Sequence, residues 1–315
     1  MQKDCKIFVA GHNGLIGLAL VRALRAHGYD NLLLRPHAEL DLARQTDVEA
    51  FFAAERPDVV FLAAAKVGGI GAMTALPADF IATNLAIALN VIEAARRQGA
   101  GKLINLVSSC IYPPQAPQPL SETAAQSTGP LDPVYEAEAI VKIAALRLCQ
   151  CSNQQHNTEF LSALPANIYG LGDHYNLDYG HVLPALIRKF HEAKMQNAEV
   201  TLWGDGSPLR EFLHASDLAE ALVLLMEQGT RATVGDLVNL GSGQEISIRE
   251  LAGLVAKAVG YTGAVHWDAS KPNGFPRRRL DSSRILALGW KPRIPLGIGI
   301  TLAYQDFLAQ SQSGQ

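Results

Sequence analysis

Gly11-His12-Asn13-Gly14-Leu15-Ile16-Gly17 is the first segment of this 315-residue chain whose residue types and spacing suit a chemical task. It follows a short apolar run, Cys5 to Ala10, and opens a helical stretch, Leu15 to Ala26. Between a strand and a helix, glycines permit a tight turn, a close backbone approach to pyrophosphate and close helix–strand packing. The helix N-terminus then offers free N–H groups to phosphate. A plain structural turn would leave three glycines at this spacing unexplained, so the segment predicts a dinucleotide site. A site for a bare ribose would place an acid about 20 residues further on. Here the second predicted strand ends in Arg35-Pro36-His37. Positive charge there suits a 2′-phosphate and favours NADP(H); the alternative is that Arg35 merely caps the strand. A denser basic stretch, Pro276-Arg277-Arg278-Arg279, reads as either a solvated loop or an anion site.

These segments need a scaffold, and the composition provides one. Hydrophobic residues make up 48% and charged residues 18%, which allows a full core, and the length suits one large domain or two smaller ones. A net charge of −3 without a long basic run argues against a nucleic-acid partner. Met1 to Lys6 does not read as a secretory leader, and no apolar stretch is expected to reach the ~20 residues that span a bilayer. Four cysteines (Cys5, Cys110, Cys149, Cys151) show neither a disulfide framework nor zinc-ligand spacing. The expectation is a reduced, cytoplasmic protein with no membrane partner and no metal.

Hydrophobic periodicity predicts strands at Cys5–Ala10, Asn31–Leu34, Asp58–Ala63, Lys102–Val107 and Glu159–Leu164. Helices are predicted at Leu15–Ala26, Thr46–Glu55, Pro77–Arg97 and Tyr135–Cys151. This alternation argues for an α/β fold, a doubly wound parallel (Rossmann) sheet with helices on both faces. After about residue 170 the pattern loosens. Asp173, Tyr175, Asn176, Asp178, Tyr179 and Gly180 lie in a polar loop, with helices at His181–Lys194 and near 216–228 and 247–259. The expected division is a cofactor-binding domain over 1–170, with later segments (about 212–245) interleaved, and a mainly substrate-binding lobe over 171–315.

Several segments occur in a telling order: Leu62-Ala63-Ala64-Ala65-Lys66-Val67-Gly68-Gly69, Ser108-Ser109-Cys110-Ile111-Tyr112-Pro113, His181-Val182-Leu183-Pro184-Ala185, Trp203-Gly204-Asp205-Gly206 and Asp268-Ala269-Ser270-Lys271-Pro272. With them the chain resembles, almost end to end, the GDP-L-fucose synthases of the extended short-chain dehydrogenase/reductase type. Those enzymes epimerise and reduce GDP-4-keto-6-deoxy-D-mannose. The resemblance implies a GDP-sugar substrate, NADP(H), and a homodimer joined through the helices at about 77–97 and 135–151.

It also implies roles. A C4 ketone acidifies the protons at C3 and C5, so inversion needs one group to take a proton and another to deliver one. Cys110 and His181 match the family's acid–base pair, and both types titrate near neutral pH when suitably tuned. Hydride then reaches C4, and the developing alkoxide needs a donor. Ser108 and Lys142 match the Ser and Lys of the family's Ser, Tyr and Lys. The tyrosine position, four residues before Lys142, holds Glu138. Tyr135 is one turn earlier, about 4.5 Å further along the axis. Glu138 reads as a buried acid kept protonated, as the mark of a chain that reduces poorly, as an inactivating substitution, or as a solvated helix glutamate.

Cofactor contacts implied by the resemblance are Gly11, His12, Asn13, Gly14, Leu15, Ile16, Gly17, Arg35, His37, Leu42, Leu106, Ser109, Lys142, Pro165, Asn167, Ile168 and His181. The family has arginines where this chain has Asn13 and His37, which implies a looser 2′-phosphate site. Implied substrate contacts are Lys189, Trp203, Arg210, Asn273 and Arg278; core packing for Trp203 and solvation for Lys189 are the plain alternatives. Other functions in view are a GDP-L-colitose-type synthase, an epimerase with impaired reduction, and a silent nucleotide-binding relative. Retention of Ser108, Cys110, Lys142 and His181 together speaks against the last.

Overall fold

The computed structural model describes residues 1–68, 74–126, 129–177, 180–271 and 273–313, so Gly69, Asp178, Tyr179 and Pro272 of the segments above lie outside the described residues. The first half alternates β1 (Ile7–Ala10), α1 (Leu15–Ala26), β2 (Leu32–Leu33), α2 (Gln45–Glu55), β3 (Val59–Leu62), α3 (Pro77–Arg97), β4 (Lys102–Leu106), α4 (Glu136–His156) and β5 (Phe160–Pro165). The second half holds β6 (Asn167–Tyr169), α5 (Val182–Gln196), β7 (Val200–Trp203), β8 (Leu209–His214), α6 (Ala215–Gln228), α7 (Arg231–Val234) and β9 (Leu237–Leu240). It continues with β10 (Glu245–Ser247), α8 (Ile248–Val259), β11 (Val265–Asp268), β12 (Arg277–Arg278), α9 (Ser283–Ala287) and α10 (Leu296–Ser313).

Six parallel strands form the main sheet in the order β2-β1-β3-β4-β5-β9. Successive side chains of a strand point to opposite faces. Ile7, Val9, Val59 and Phe61 therefore join α1 and α6 in one core, while Phe8, Ala10, Val60 and Leu62 join α2, α3 and α4 in another. Burial on both faces is why these strands read as continuous apolar runs. Strand order reverses between β1 and β3, and ligands of such sheets bind outside the carboxyl ends of the strands at that point.

A buried lysine in β4 has a structural explanation. Lys102 Nζ donates to the carbonyls of Leu225, Met226 and Gly229 at 3.2, 3.0 and 2.6 Å, closing the C-terminal end of α6. The second lobe packs α5, α8 and α10 around a separate core with Phe190, Leu202 and Phe212. Its strand β8 pairs with β6, β10 and β12, while β7 pairs with β11.

One expectation is corrected. Helix α3 is long and apolar enough, by length and composition, to cross a membrane. Its buried residues, among them Phe80, Asn84, Val91, Ile92 and Ala95, make it a core helix packed on α2 and α4. All four cysteines are free, and the described residues contain no cluster of three or more His, Cys, Asp or Glu able to hold a metal ion.

Candidate active site

Strand β4 delivers the first reactive group. After Val107 the chain leaves the sheet at Ser108 and makes one tight turn, Ser109–Ile111, which tucks the Cys110 thiol into the protein at 2% exposure. Burial pushes this thiol up to about 12, and the Glu138 charge pushes the same way. A hydrogen bond with Ser108 and the charges of Arg278 and Lys142 oppose them. Lys142, from α4, donates from Nζ to the Leu106 carbonyl at the end of β4, at 2.8 Å. Burial lowers its pKa; Glu138 and Cys110 act the other way. His181 caps the N-terminus of α5 through its backbone and makes no side-chain cap bond. The residue is exposed at the surface, yet protein crowds its ring, and desolvation holds its pKa below the ordinary imidazole value against the Glu138 charge.

Glu138 is thus the common neighbour. Its charge bears on Cys110, Lys142 and His181 alike, and the residue is half-buried, which removes the reading of a solvated surface glutamate.

A second cluster lies beside the first. Two-residue alternation in β12 turns Arg277 out, where Nε and one terminal nitrogen bind Glu245 at 2.7 and 2.5 Å. Arg278 turns in, so the basic stretch is more than a solvated loop. Arg278 is the register partner of Arg210 on β8. Arg278 donates to Ser109 Oγ at 3.2 Å, and Arg210 to the carbonyls of Leu209 and Phe275 at 2.9 and 2.7 Å. Among the described residues neither guanidinium pairs with a carboxylate. Burial lowers both pKa values, and the Arg278 charge lowers that of Arg210 further. Two adjacent, desolvated like charges without an acid suit a multiply charged anion, for which arginine's fork of donors is well shaped.

The other expected substrate contacts are less closely drawn in. Trp203 is 62% exposed, which removes its core-packing alternative, with Lys271 Nζ 5.7 Å from its ring. Asn273 is exposed and its Oδ1 accepts from Asp205 N at 2.9 Å, bracing the turn after β7. Lys189 is half-buried on α5 and makes no hydrogen bond or ion pair among the described residues.

The glycine turn fits a dinucleotide. Gly11 has φ +85°, and a Cβ there would lie 2.7 Å from Ala64 N. A Cβ on Gly17 would collide with the Gly11 carbonyl oxygen. No side chain caps α1 at Gly14, so its first N–H groups remain for a ligand. His12 Nδ1 is buried and has no hydrogen-bond partner among the described residues. Asn13 is exposed, while Leu15 and Ile16 pack on the core and offer only backbone. Arg35 stands at the end of β2 but is engaged: a terminal nitrogen binds Glu55 Oε1 at 3.0 Å and the guanidinium lies 5.8 Å from the Phe51 ring centroid. The His37 side chain is 85% exposed, 3.8 Å from Asp41. Leu42 is buried; Pro165 at the end of β5 and Ile168 in β6 are half-buried, and Asn167 Nδ2 donates to the Glu211 carbonyl at 2.8 Å.

Comparison with known proteins agrees with this layout. Residues 7–241 match the NAD dependent epimerase/dehydratase family. The chain is 53% identical to a putative GDP-L-fucose synthase 2 of Arabidopsis thaliana over 98% of its own length and 93% of the relative's. It is 46% identical to the GDP-L-fucose synthase of Escherichia coli K12, over 96% of each. The chain belongs to the NAD-dependent epimerase/dehydratase family, among the GDP-L-fucose synthases. A solved GDP-L-fucose synthetase from Naegleria fowleri bound to NADP superposes with TM-score 0.90 at 25% identity, covering 99% of this chain and 97% of that one.

Lys142 reaches the end of β4, and Glu138 lies one helical turn before it on α4. On spacing Tyr135 is too far along the helix for a simple replacement unless a remodelled helix start aims it inward, and nothing local points to Phe275. The structure brings both to the site: Tyr135 stacks on Phe275 at 6.3 Å between centroids, with the Arg278 guanidinium 5.6 Å from the first ring and 3.8 Å from the second. The signal available in the sequence was Asp132-Pro133 ahead of the helix, a turn that fixes where the ring goes.

Proposed function

We propose that this chain converts GDP-4-keto-6-deoxy-D-mannose to GDP-L-fucose, inverting C3 and C5 and reducing C4 with NADPH, as a cytoplasmic homodimer. The observation that carries the reading is the convergence of Cys110, His181 and Lys142 on the Glu138 carboxylate, beside two arginines that form no ion pair among the described residues.

In this reading Arg210 and Arg278 hold the diphosphate, and so place the sugar over Cys110 and His181. The resting pair is uncharged: burial keeps Cys110 a thiol and His181 a neutral imidazole. One can give a proton and the other take one, as inversion at an acidified carbon requires. Gly11, Gly14, Gly17 and the start of α1 would hold the pyrophosphate of NADPH, with Arg35 and His37 near its 2′-phosphate. When bound, the cofactor supplies the hydride. Ser108 and Lys142 then face the C4 oxygen, each as a hydrogen-bond donor. Glu138, in place of a phenol, leaves that oxygen short of a proton donor, which makes reduction the slow stage.

Free cysteines fit a reducing compartment. Helices α3 and α4 lie side by side and leave Leu89 and Ile140 exposed, an apolar face that a second copy would cover. Light scattering should report twice the 33.8 kDa chain mass. Incubation with the keto sugar nucleotide and NADPH should yield GDP-L-fucose by NMR; recovery of unchanged substrate would overturn the assignment.

A further inference from the structure

Tyr135 sits at a junction that the family chemistry leaves unused. Its backbone N–H donates to Asp132 O at 3.0 Å and its carbonyl accepts from Ala139 N at 2.8 Å, while Val134 N donates to Asp132 Oδ1 at 2.7 Å. This turn fixes the residue as the N-cap of α4. The ring is then held on Phe275 at 26° between planes, with Phe80 packed against it. It is placed by both ends and has little freedom to leave.

The hydroxyl has no hydrogen-bond partner among the described residues. Tyr135 stands against the arginine pair: the Arg278 guanidinium lies 5.6 Å from its ring centroid, and the charges of Arg278 and Arg210 act on its phenol ahead of those of Asp132 and Glu138. Burial raises its pKa, so the phenol keeps its proton and can donate it.

We infer that Tyr135 is a specificity-determining residue whose O–H completes the anion seat of Arg210 and Arg278, donating to a diphosphate oxygen of the sugar nucleotide. The inference rests on the proposed reading of those arginines. It also says what Tyr135 is not: a substitute for the missing tyrosine in reduction. An acid for C4 would have to stand beside Lys142, and the ring is pinned on the arginine side.

The test uses GDP and GMP as probes on the full-length protein. Tyr135→Phe keeps the stacked ring and removes only the hydroxyl, so a native circular dichroism spectrum is expected. A hydrogen bond to a charged group accounts for roughly 10-fold or more in affinity. Calorimetry should show GDP weakened about 10-fold in Tyr135→Phe, with GMP affected much less. KM for the keto sugar nucleotide should rise in parallel, with kcat for NADPH oxidation unchanged. Unaltered GDP affinity overturns the inference. So does a fall in kcat at constant GDP affinity, which would make Tyr135 an acid in reduction. If the unmodified protein fails to bind GDP, the arginine seat itself is wrong; if it binds GDP and Tyr135→Phe binds it equally well, only the role of Tyr135 falls.

Discussion

Glu138 lies one helical turn before Lys142 on α4, and its charge opposes the lowering of the Lys142 pKa that burial causes. The same carboxylate acts on Cys110 and His181, raising the proton affinity of both. We propose that Glu138 takes the place of the catalytic tyrosine of the resembled enzymes, so that a carboxylate stands where they have a phenol.

Glu138→Tyr should raise the rate of NADPH oxidation. A phenol, with an ordinary pKa near 10, can donate to the C4 oxygen and be recharged beside Lys142; a carboxylate can only accept. General acid catalysis of this kind contributes about 10²–10⁴-fold, so stopped-flow measurement of hydride transfer should show a large gain. A slower variant would mean that Glu138 is itself the adapted acid.

Cys110→Ser should reduce solvent exchange at C3 and C5 by at least about 10²-fold, because a serine hydroxyl moves protons poorly at this site. NADPH affinity should stay within about twofold, since only the groups that meet the sugar are altered. Deuterium uptake followed by NMR checks the first, fluorescence titration the second.

Cofactor preference depends on a contact that weakens it. Arg35 is bound to Glu55, which also accepts from Lys6 Nζ at 3.4 Å, so part of its charge is offset before a 2′-phosphate arrives. NADPH should still bind more tightly than NADH. Glu55→Gln should widen the preference by roughly 3- to 5-fold, the scale of one partly exposed ion pair. Dissociation constants for both cofactors at low salt would show it, and an unchanged ratio would remove Arg35 from the 2′-phosphate site.

Asp173 predicts a pH dependence of stability. Burial raises its pKa to about 7; the nearby Asp306 charge adds to this, and the His174 N–H opposes it. Its Oδ2 is buried and has no hydrogen-bond partner among the described residues. Above pH 7 the carboxylate is ionised in both the folded and unfolded states, and the folded state bears the cost of burying it. Between about 4 and 7 the folded state holds a proton that the unfolded state has lost, so stability falls as pH rises through that window. At about 1.4 kcal/mol per pKa unit, the effect is on the order of 2–4 kcal/mol. Asp173→Asn should therefore be more stable to urea at pH 8, and the two proteins should converge near pH 4.

The sheet was legible in the sequence because parallel strands buried on both faces leave unbroken apolar runs, as in Ile7–Ala10 and Val59–Leu62. Helices α1 and α3 begin and end at the predicted residues. The second lobe was less legible. Strand β12 is two residues long and pairs only through β8, and α10 follows a proline with weak helical periodicity, so neither leaves a local signal. In the candidate site, Cys110, Lys142 and His181 were named from the family resemblance, and the Glu138 charge acts on all three. The inward turn of Arg278 and the pinning of Tyr135 on Phe275 depend on contacts about 140 residues apart in the chain, which no local pattern encodes.

The most direct test is isotopic. The protein is given GDP-4-keto-6-deoxy-D-mannose and NADPH in D2O, and the product is examined by NMR and mass spectrometry while NADPH absorbance is followed. The account predicts deuterium at both C3 and C5, with one NADPH oxidised for each GDP-L-fucose formed. NADPH consumption with no deuterium at C3 or C5, or neither event, would contradict it.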